Sequence, residues 1–343
     1  MAAAMAEPAG DGSRAGFAPC DTRPMRHYDV FNGDADGICS LHQLRLADPL
    51  DSELVTGLKR DIALLDSVPA RSGDVVTVLD VSLDRNRAGL LALLDRGVHV
   101  RYFDHHHAGD IPRHPRLEAA IDVSRDACTS ALVDRHLGGR FRAWAVVGAF
   151  GDDLAPLALE LAKPLDLAAG RLARLRELGV SINYNAYGAS AADVLVHPRE
   201  LYAIVRRHED PFEMIAREPV VERLGAQRRA DLERALAIAP AKASHAAAAY
   251  LLPEASWSRR VIGIFANRLA AQGPERAHAV LAPVDGTAYV VSVRAPRSAR
   301  TSAAEFCRRY AAGGGRAAAA GIDRLDAARV DAFLEEFERA WSA

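Results

Sequence analysis

The sequence predicts an α/β protein: an N-terminal domain on a mostly parallel sheet, a helical connector and a smaller C-terminal α/β domain. Three observations lead there. Short apolar runs alternate with amphipathic stretches from His27 to about Asp153, residues 155–245 keep helical spacing over most of their length, and a second alternation starts after the PEASWS turn.

Strands are expected at 28–31, 53–57, 75–79 and 98–103, and helices near 38–47, 61–68, 85–96, 127–138 and 141–150. Such alternation implies βαβ units, hence a parallel sheet with helices on both faces. In the helical region AAGRLARLRELG and EPVVERLGAQRRADLERALAIA are the clearest runs. SINYNAYGAS, between them, reads as a polar loop, because Asn, Tyr and Gly suit a helix poorly. Further on, VIGIF, HAVLAPV and AYVVSVRA read as strands, with helices near 302–311 and 325–341 and a glycine loop in AAGGGRAAAAG. The expected division is 26–195, connector 196–245 and 246–343, behind an N-terminal segment, 1–25, whose Ala, Gly, Pro and acidic content predicts disorder.

At 343 residues, 50% hydrophobic and 26% charged, the composition is that of a globular protein with room for two cores. A net charge of −2 gives no global case for gripping long nucleic acid. Only Lys59, Lys163 and Lys242 are lysines among 43 basic residues, which reads as coding bias. Cys20, Cys39, Cys128 and Cys307 form no CxxC pair, and neither a signal peptide nor a long apolar span is evident, so a cytoplasmic protein with reduced thiols and no membrane association is expected.

Ligands of a parallel sheet gather beyond the carboxyl ends of its strands, and acids recur there. The first strand runs into Asn32-Gly33-Asp34-Ala35-Asp36-Gly37, the third into Asp80 and the fourth into Asp104-His105-His106-His107, and GAFGDDL places Asp152 and Asp153 after another apolar segment. Each acid has a bland reading as a helix cap or turn. A calcium loop beginning at Asn32 fails, since its twelfth position is Gln43 and not the bidentate glutamate. Four element ends carrying acids or histidines are harder to obtain as independent caps. Carboxylates with one or two imidazoles suit Mn²⁺, Mg²⁺ or Fe²⁺, and a crowded acid cluster needs cations to stay ionised.

These motifs resemble those of the DHH phosphoesterases. DADG matches the first motif, VLD at 78–80 the second, DHH at 104–106 the third, GAFGD at 148–152 the fourth, and GGGR at 313–316 the glycine-rich motif of the associated C-terminal domain. The resemblance implies two divalent ions, Mn²⁺ foremost, in a cleft between domains, with Asp34, Asp36, Asp80, His105 and Asp152 as ligands and Asp80 as the bridge. It gives His106 to the substrate phosphate and makes Asp104 the residue orienting the histidines. Two positions depart from the pattern. Asn32 stands where relatives commonly carry His or Asp, leaving at most a weak neutral ligand. Arg316 stands where they commonly carry His, and arginine grips phosphate but moves no proton near neutrality.

In the C-terminal domain, Gly313, Gly314 and Gly315 could turn backbone N–H groups toward an anion at a following helix start, with Arg316 supplying charge. The alternative is a plain glycine turn between helices. Ser292 and Arg294 share one face of a strand and extend the anion-binding reading, and Asn267 joins them mainly through the resemblance. Tyr184 or Tyr187 could stack a base.

The function expected from all this is hydrolysis of phosphate esters in short oligonucleotides or small nucleotides by a metal-bridged hydroxide. The alternatives are a single-strand exonuclease and a non-catalytic nucleotide sensor. No stable protein partner is expected, and a homodimer is compatible with the sequence.

Overall fold

The computed structural model describes residues 23–61, 63–296 and 298–342. Most of the expected disordered segment, together with Cys20, lies outside the described residues.

The first half builds β1 (His27–Asn32), α1 (Ala35–Ala47), β2 (Glu53–Gly57), β3 (Val75–Leu79), α2 (Arg87–Asp95), β4 (His99–Asp104) and β5 (Leu117–Ile121). The five strands pair in parallel in the order β2-β1-β3-β4-β5. Alternation along β1 sends Tyr28 and Val30 to a core with α2, while Phe31 faces the opposite core. That larger core holds α1 with α3 (Thr129–His136), α4 (Arg142–Gly151), α5 (Ala155–Ala162), α6 (Ala169–Ala186), α7 (Pro198–Val205) and α8 (Pro211–Arg217). β5 escaped the sequence reading because LEAAI is an exposed, alanine-rich edge strand held by its pairing with β4.

Helix α9 (Pro219–Leu236) leads to the second sheet, with β6 (Lys242–Ala243), β7 (Ala247–Leu251), α10 (Ser256–Gln272), β8 (Ala277–Pro283), β9 (Ala288–Arg294), α11 (Ala303–Cys307), β10 (Gly313–Gly315), β11 (Ala319–Asp326) and α12 (Val330–Trp341). Its order is β10-β11-β9-β8-β7-β6, with only β7 and β8 parallel. Helix α10 covers one face, α11 and α12 the other.

Several expected elements change. The helix near 61–68 is a single 3₁₀ turn at 65–67, stopped by Pro69 two residues on. VIGIF is helical: Val261, Ile262, Phe265 and Leu269 recur at helical spacing and bury one face of α10, so period outweighs β-branched content. The strand before it is instead the alanine-rich AAAYL of β7. SINYNA forms the last turns of α6, because Asn185 and Tyr184 find buried partners there. Asn185 donates to the Val196 carbonyl at 2.7 Å, and Tyr184 donates its hydroxyl to Asp231. The glycine triplet is neither a loop between helices nor a helix start. It pairs antiparallel with β11, and Gly313 is needed there because a Cβ would fall 1.8 Å from the Cys307 carbonyl oxygen. The helix expected at 302–311 shortens to 303–307, and the last helix begins at 330 because β11 takes residues up to 326.

Cys39, Cys128 and Cys307 are free and buried, and no helix among the described residues is long and apolar enough to cross a membrane.

Candidate metal and phosphate site

The strand order reverses between β1 and β3, and the crevice beyond their carboxyl ends is where a parallel sheet accepts ligands. Asp34 does cap α1: its Oδ1 accepts the backbone N–H groups of Asp36 (3.0 Å) and Gly37 (3.1 Å). The chain is pinned so tightly that a Cβ on Gly37 would lie 2.2 Å from the Asn32 carbonyl oxygen. Asn32 accepts the Asp34 N–H at 3.2 Å through its own side-chain oxygen. Asp34 Oδ2 meets the ammonium of Lys59, which follows β2.

Asp36 has both oxygens held by α3, accepting the N–H groups of Thr129 (2.7 Å) and Ser130 (2.8 Å). Asp80 sits directly after β3 with φ 58°, a left-handed conformation that few residues other than glycine and asparagine adopt readily. Thr129 donates its hydroxyl to Asp80 Oδ1 at 3.1 Å. Into this group projects His105, its Nε2 3.4 Å from Asp80, 3.7 Å from Asp152 and 4.0 Å from Asp36. Asp152 follows α4, whose Gly148 admits the α3 terminus.

His106 is turned by Asp104, which accepts from its Nδ1 at 2.7 Å. That leaves Nε2 as the nitrogen to face a ligand, on a side chain that is 41% exposed. Among the described residues the Asp104 carboxylate bonds His106 and not His105, and the buried Nδ1 of His105 and Oδ2 of Asp104 have no hydrogen-bond partner there. His107 is exposed.

The electrostatics are those of a cluster short of positive charge. Burial pushes Asp80 well above the usual carboxylate range, with Asp34 and Asp36 adding to the effect. Burial raises Asp36 too, although His105 opposes it. At Asp34 burial is outweighed by the Lys59 ammonium and the capping N–H groups, and the carboxyl falls below its ordinary value. Burial works against charge on Lys59, yet Asp34 lifts its pKa well above normal, and His105, likewise buried, is lifted to about 10 chiefly by Asp80.

The donor set fits a hard divalent cation. Ligand atoms at about 2.0–2.2 Å from one such ion lie roughly 3–4 Å from each other, and His105 Nε2 stands 3.4–4.0 Å from three carboxylates. One ligand atom each from Asp80, His105 and His106 also falls within 4.8 Å of the others.

Across the crevice lies the second sheet. Asn267 on α10 donates to Asp153 at 3.0 Å and accepts from Arg294 Nε at 2.6 Å, so one side chain ties the residue after Asp152 to the arginine of β9. Arg294 also donates to Ser292 Oγ at 3.0 Å. A cleft of about 270 Å³ is lined by Arg60, Tyr187, Ser292, Arg294, Gly314 and Gly315, among others. A larger groove of about 540 Å³ lies near α8 and α9, away from the acids, and its Arg229 and Glu177 pair with each other. Arg316 sits on the exposed β10–β11 turn, outside the lining of the smaller cleft, and Gly313, half-buried within β10, is outside that lining too. Tyr187 faces the cleft with Lys59 5.7 Å from its ring centre, whereas Tyr184 is buried against Asp231.

The DHHA1 domain family matches residues 244–343. The C-terminal part of the chain is thus similar to a DHHA1 domain. An exonuclease RecJ bound to manganese superposes with a TM-score of 0.58 at 22% identity, over 92% of this chain and 89% of that one. RecJ from Thermus thermophilus in complex with Mn²⁺ gives 0.59 at 22% identity, over 92% of this chain and 51% of the other. A pGpG-specific phosphodiesterase from Vibrio cholerae gives 0.50 at 17% identity, over 92% and 100% of the two chains. No curated protein sequence matches the chain. The resemblance carried by the motifs thus holds for the DHH fold and for its C-terminal partner domain.

Sequence reasoning passed over Lys59, Thr129, Ser130 and Asn183. Lys59 was within reach, since it lies just past the carboxyl end of a recognised strand. Thr129 and Ser130 carry no motif and are found only by seeing α3 meet Asp36. A Cβ at Gly148 would come within 2.3 Å of Ser130 Oγ and 3.3 Å of Asp36 Oδ1. Gly148→Ala is therefore expected to lower stability by about 1–3 kcal/mol through overpacking and to weaken Mn²⁺ binding. Urea melts and a metal titration check the two effects separately.

Proposed function

We propose that this protein is a divalent-metal-dependent phosphoesterase acting on short oligonucleotides or small nucleotides. The observation that carries the reading is the meeting of Asp36, Asp80, Asp152 and His105 at the switch point of the first sheet, with Arg294 of the second sheet tied through Asn267 to the adjacent Asp153. The DHH fold, shared with a RecJ exonuclease and a pGpG-specific phosphodiesterase, supports the reaction class. The proposed organisation keeps a catalytic domain at 26–195, a connector at 196–245 and a substrate domain at 246–343.

A bound Mn²⁺ or Mg²⁺ would supply polarisation of a phosphoryl oxygen and would lower the pKa of a water beside the phosphorus, so that it gives up a proton near neutral pH. The protein groups do the rest. Asp36, Asp80, Asp152 and His105 would hold that cation, and α3 fixes the Asp36 and Asp80 oxygens in place. His106, oriented by Asp104, donates from Nε2 to a phosphate oxygen as negative charge grows there. Arg294, steadied by Asn267 and Ser292, binds the phosphate from the opposite wall, and Tyr187 offers a face for a base. Gly314 and Gly315 keep that wall free of side chains. Arg316 lies at the rim, where it meets the outer part of a longer substrate.

The cleft of about 270 Å³ and the net charge of −2 favour a short substrate over a long strand. A panel of dinucleotides, cyclic dinucleotides, nucleoside bisphosphates, polyphosphate and single-stranded DNA, each with Mn²⁺, Mg²⁺ or chelator, tests the proposal. Chelator is expected to abolish hydrolysis and Mn²⁺ to restore it; activity that survives chelation removes the reading. Preferential release of nucleotides from long DNA turns it toward an exonuclease. Arg294→Ala should raise KM about 10–100-fold, the loss of one charge-assisted phosphate contact, with a smaller change in kcat.

A further inference from the structure

The sequence contains three lysines, and one of them lies inside the acid cluster. The Lys59 ammonium pairs with Asp34 Oδ2, lies 3.1 Å from Asn183 Oδ1 and 3.6 Å from Asp152 Oδ1. Three oxygens from three different elements therefore surround a group that has three N–H donors to give. Its backbone is anchored as well, the Lys59 N–H donating to the Ala186 carbonyl at 3.0 Å.

We propose that the Lys59 ammonium fills one of the two cation positions implied by the motifs, so that each chain binds one divalent ion, at Asp36, Asp80, Asp152 and His105. This inference rests on the metal-dependent reading above and narrows it.

The two halves of the cluster are built differently. On the His105 side, Asp36, Asp80 and Asp152 converge on an imidazole, and of the three only Asp152, through its other oxygen, comes within 4 Å of Lys59 among the described residues. On the Asp34 side the side-chain oxygens are engaged too, and one of them by a cation. Asp34 Oδ1 accepts two N–H groups of α1, Asp34 Oδ2 takes the ammonium, and Asn32 Oδ1 accepts the Asp34 N–H. Asn32 is also neutral, so that side offers a second ion one carboxylate fewer than an aspartate there would.

Charge points the same way. With His105 neutral as a ligand, four carboxylates against one ammonium leave a charge of minus three, which one divalent ion reduces to minus one. A second divalent ion beside Lys59 would turn the buried cluster positive and set two cations against each other at Asp34. To admit it, the lysine would have to leave all three of its oxygen partners.

Metal content decides the matter without reference to turnover. The full-length protein is loaded with excess Mn²⁺ and freed of unbound metal, and bound Mn is counted per chain by elemental analysis. Its electron paramagnetic resonance spectrum is recorded in parallel. The expected result is one Mn²⁺ per chain with the six-line pattern of an isolated ion. Lys59→Met, close in length and uncharged, is expected to rise to two per chain at millimolar Mn²⁺ and to show exchange coupling between neighbouring ions. Two coupled ions in the wild-type protein overturn the inference while leaving the proposed function standing. No bound ion overturns both. Lys59→Met that remains at one ion overturns the role given to the ammonium, and the wild-type count stands whether or not that variant folds.

Discussion

Asp80→Asn should lower kcat/KM by at least about a thousandfold, an effect of the size seen when a group stabilising transition-state charge is removed. In metal-free buffer the same variant should melt higher than the wild type. Both outcomes come from one position. Asp80 has φ 58°, a conformation asparagine tolerates better than most residues, and Thr129 can still donate to the amide oxygen, so the fold is kept. The buried carboxyl, crowded by Asp34 and Asp36, binds its proton more tightly in the folded protein than in the unfolded chain. Asp36 does the same, and His105, at about 10, holds its proton across neutral pH where the unfolded imidazole would lose it. When the folded state binds more protons, stability rises as pH falls. Metal-free wild type should thus gain stability from pH 8 to pH 6, and Asp80→Asn should show a smaller gain. Asp34 works in the opposite sense, but it would begin to lose its contribution only as pH drops into the ordinary carboxylate range. Removing one of the crowded carboxylates is worth about 1–2 kcal/mol, or roughly 2–8 °C in Tm. A variant retaining a tenth of wild-type turnover would remove Asp80 from the mechanism. A metal-free melt that falls would show that its charge is not a strain on the fold.

The second large effect concerns the joint between the two sheets. Arg260 on α10 is buried, with Nε 2.9 Å from the Tyr184 hydroxyl on α6 and Nη2 2.9 Å from the fully buried Asp231 on α9. Its Nη1 reaches the Asp193 carbonyl, and the neighbouring Arg259 pairs with the Asp193 carboxylate at 2.6 Å. Arg260→Leu removes the buried cation paired with Asp231, leaving it the Gln227 amide at 2.8 Å, the Tyr184 hydroxyl and the more exposed Arg234 at 3.4 Å; breaking a buried pair typically costs about 3–5 kcal/mol. Denaturant unfolding should register that loss, and limited proteolysis should cut more readily between α9 and α10. Adding Asp231→Asn to Arg260→Leu is expected to return a large part of the stability, since the stranded charge is gone. If the double variant is no more stable than the single one, the network is not held by charge. Because Asn267 reaches Asp153 from the same helix, loosening α10 should also raise KM.

What could be read in advance follows from how local each feature is. The acids after β1, β3 and β4 were legible because a parallel strand places whatever follows it at one edge, and that geometry needs no partner. SINYNA and VIGIF were misread for the opposite reason. Their local composition points away from helix, and burial of Tyr184, Asn185 and Phe265 against other elements decides the outcome. The glycine triplet looked like an anion loop because its sequence says only that side chains are absent. Pairing with β11 makes it a strand.

The α/β class, the order of the elements and the residue types at the sheet's edge are all legible in the chain, because periodicity and strand ends are local properties. Which charges meet depends on packing. It brought Lys59 from β2 to Asp34, Thr129 and Ser130 from α3 to Asp80 and Asp36, and Asn267 from the second sheet to Asp153. Contacts between residues far apart in sequence depend on how the layers pack, and no spacing along the chain encodes them.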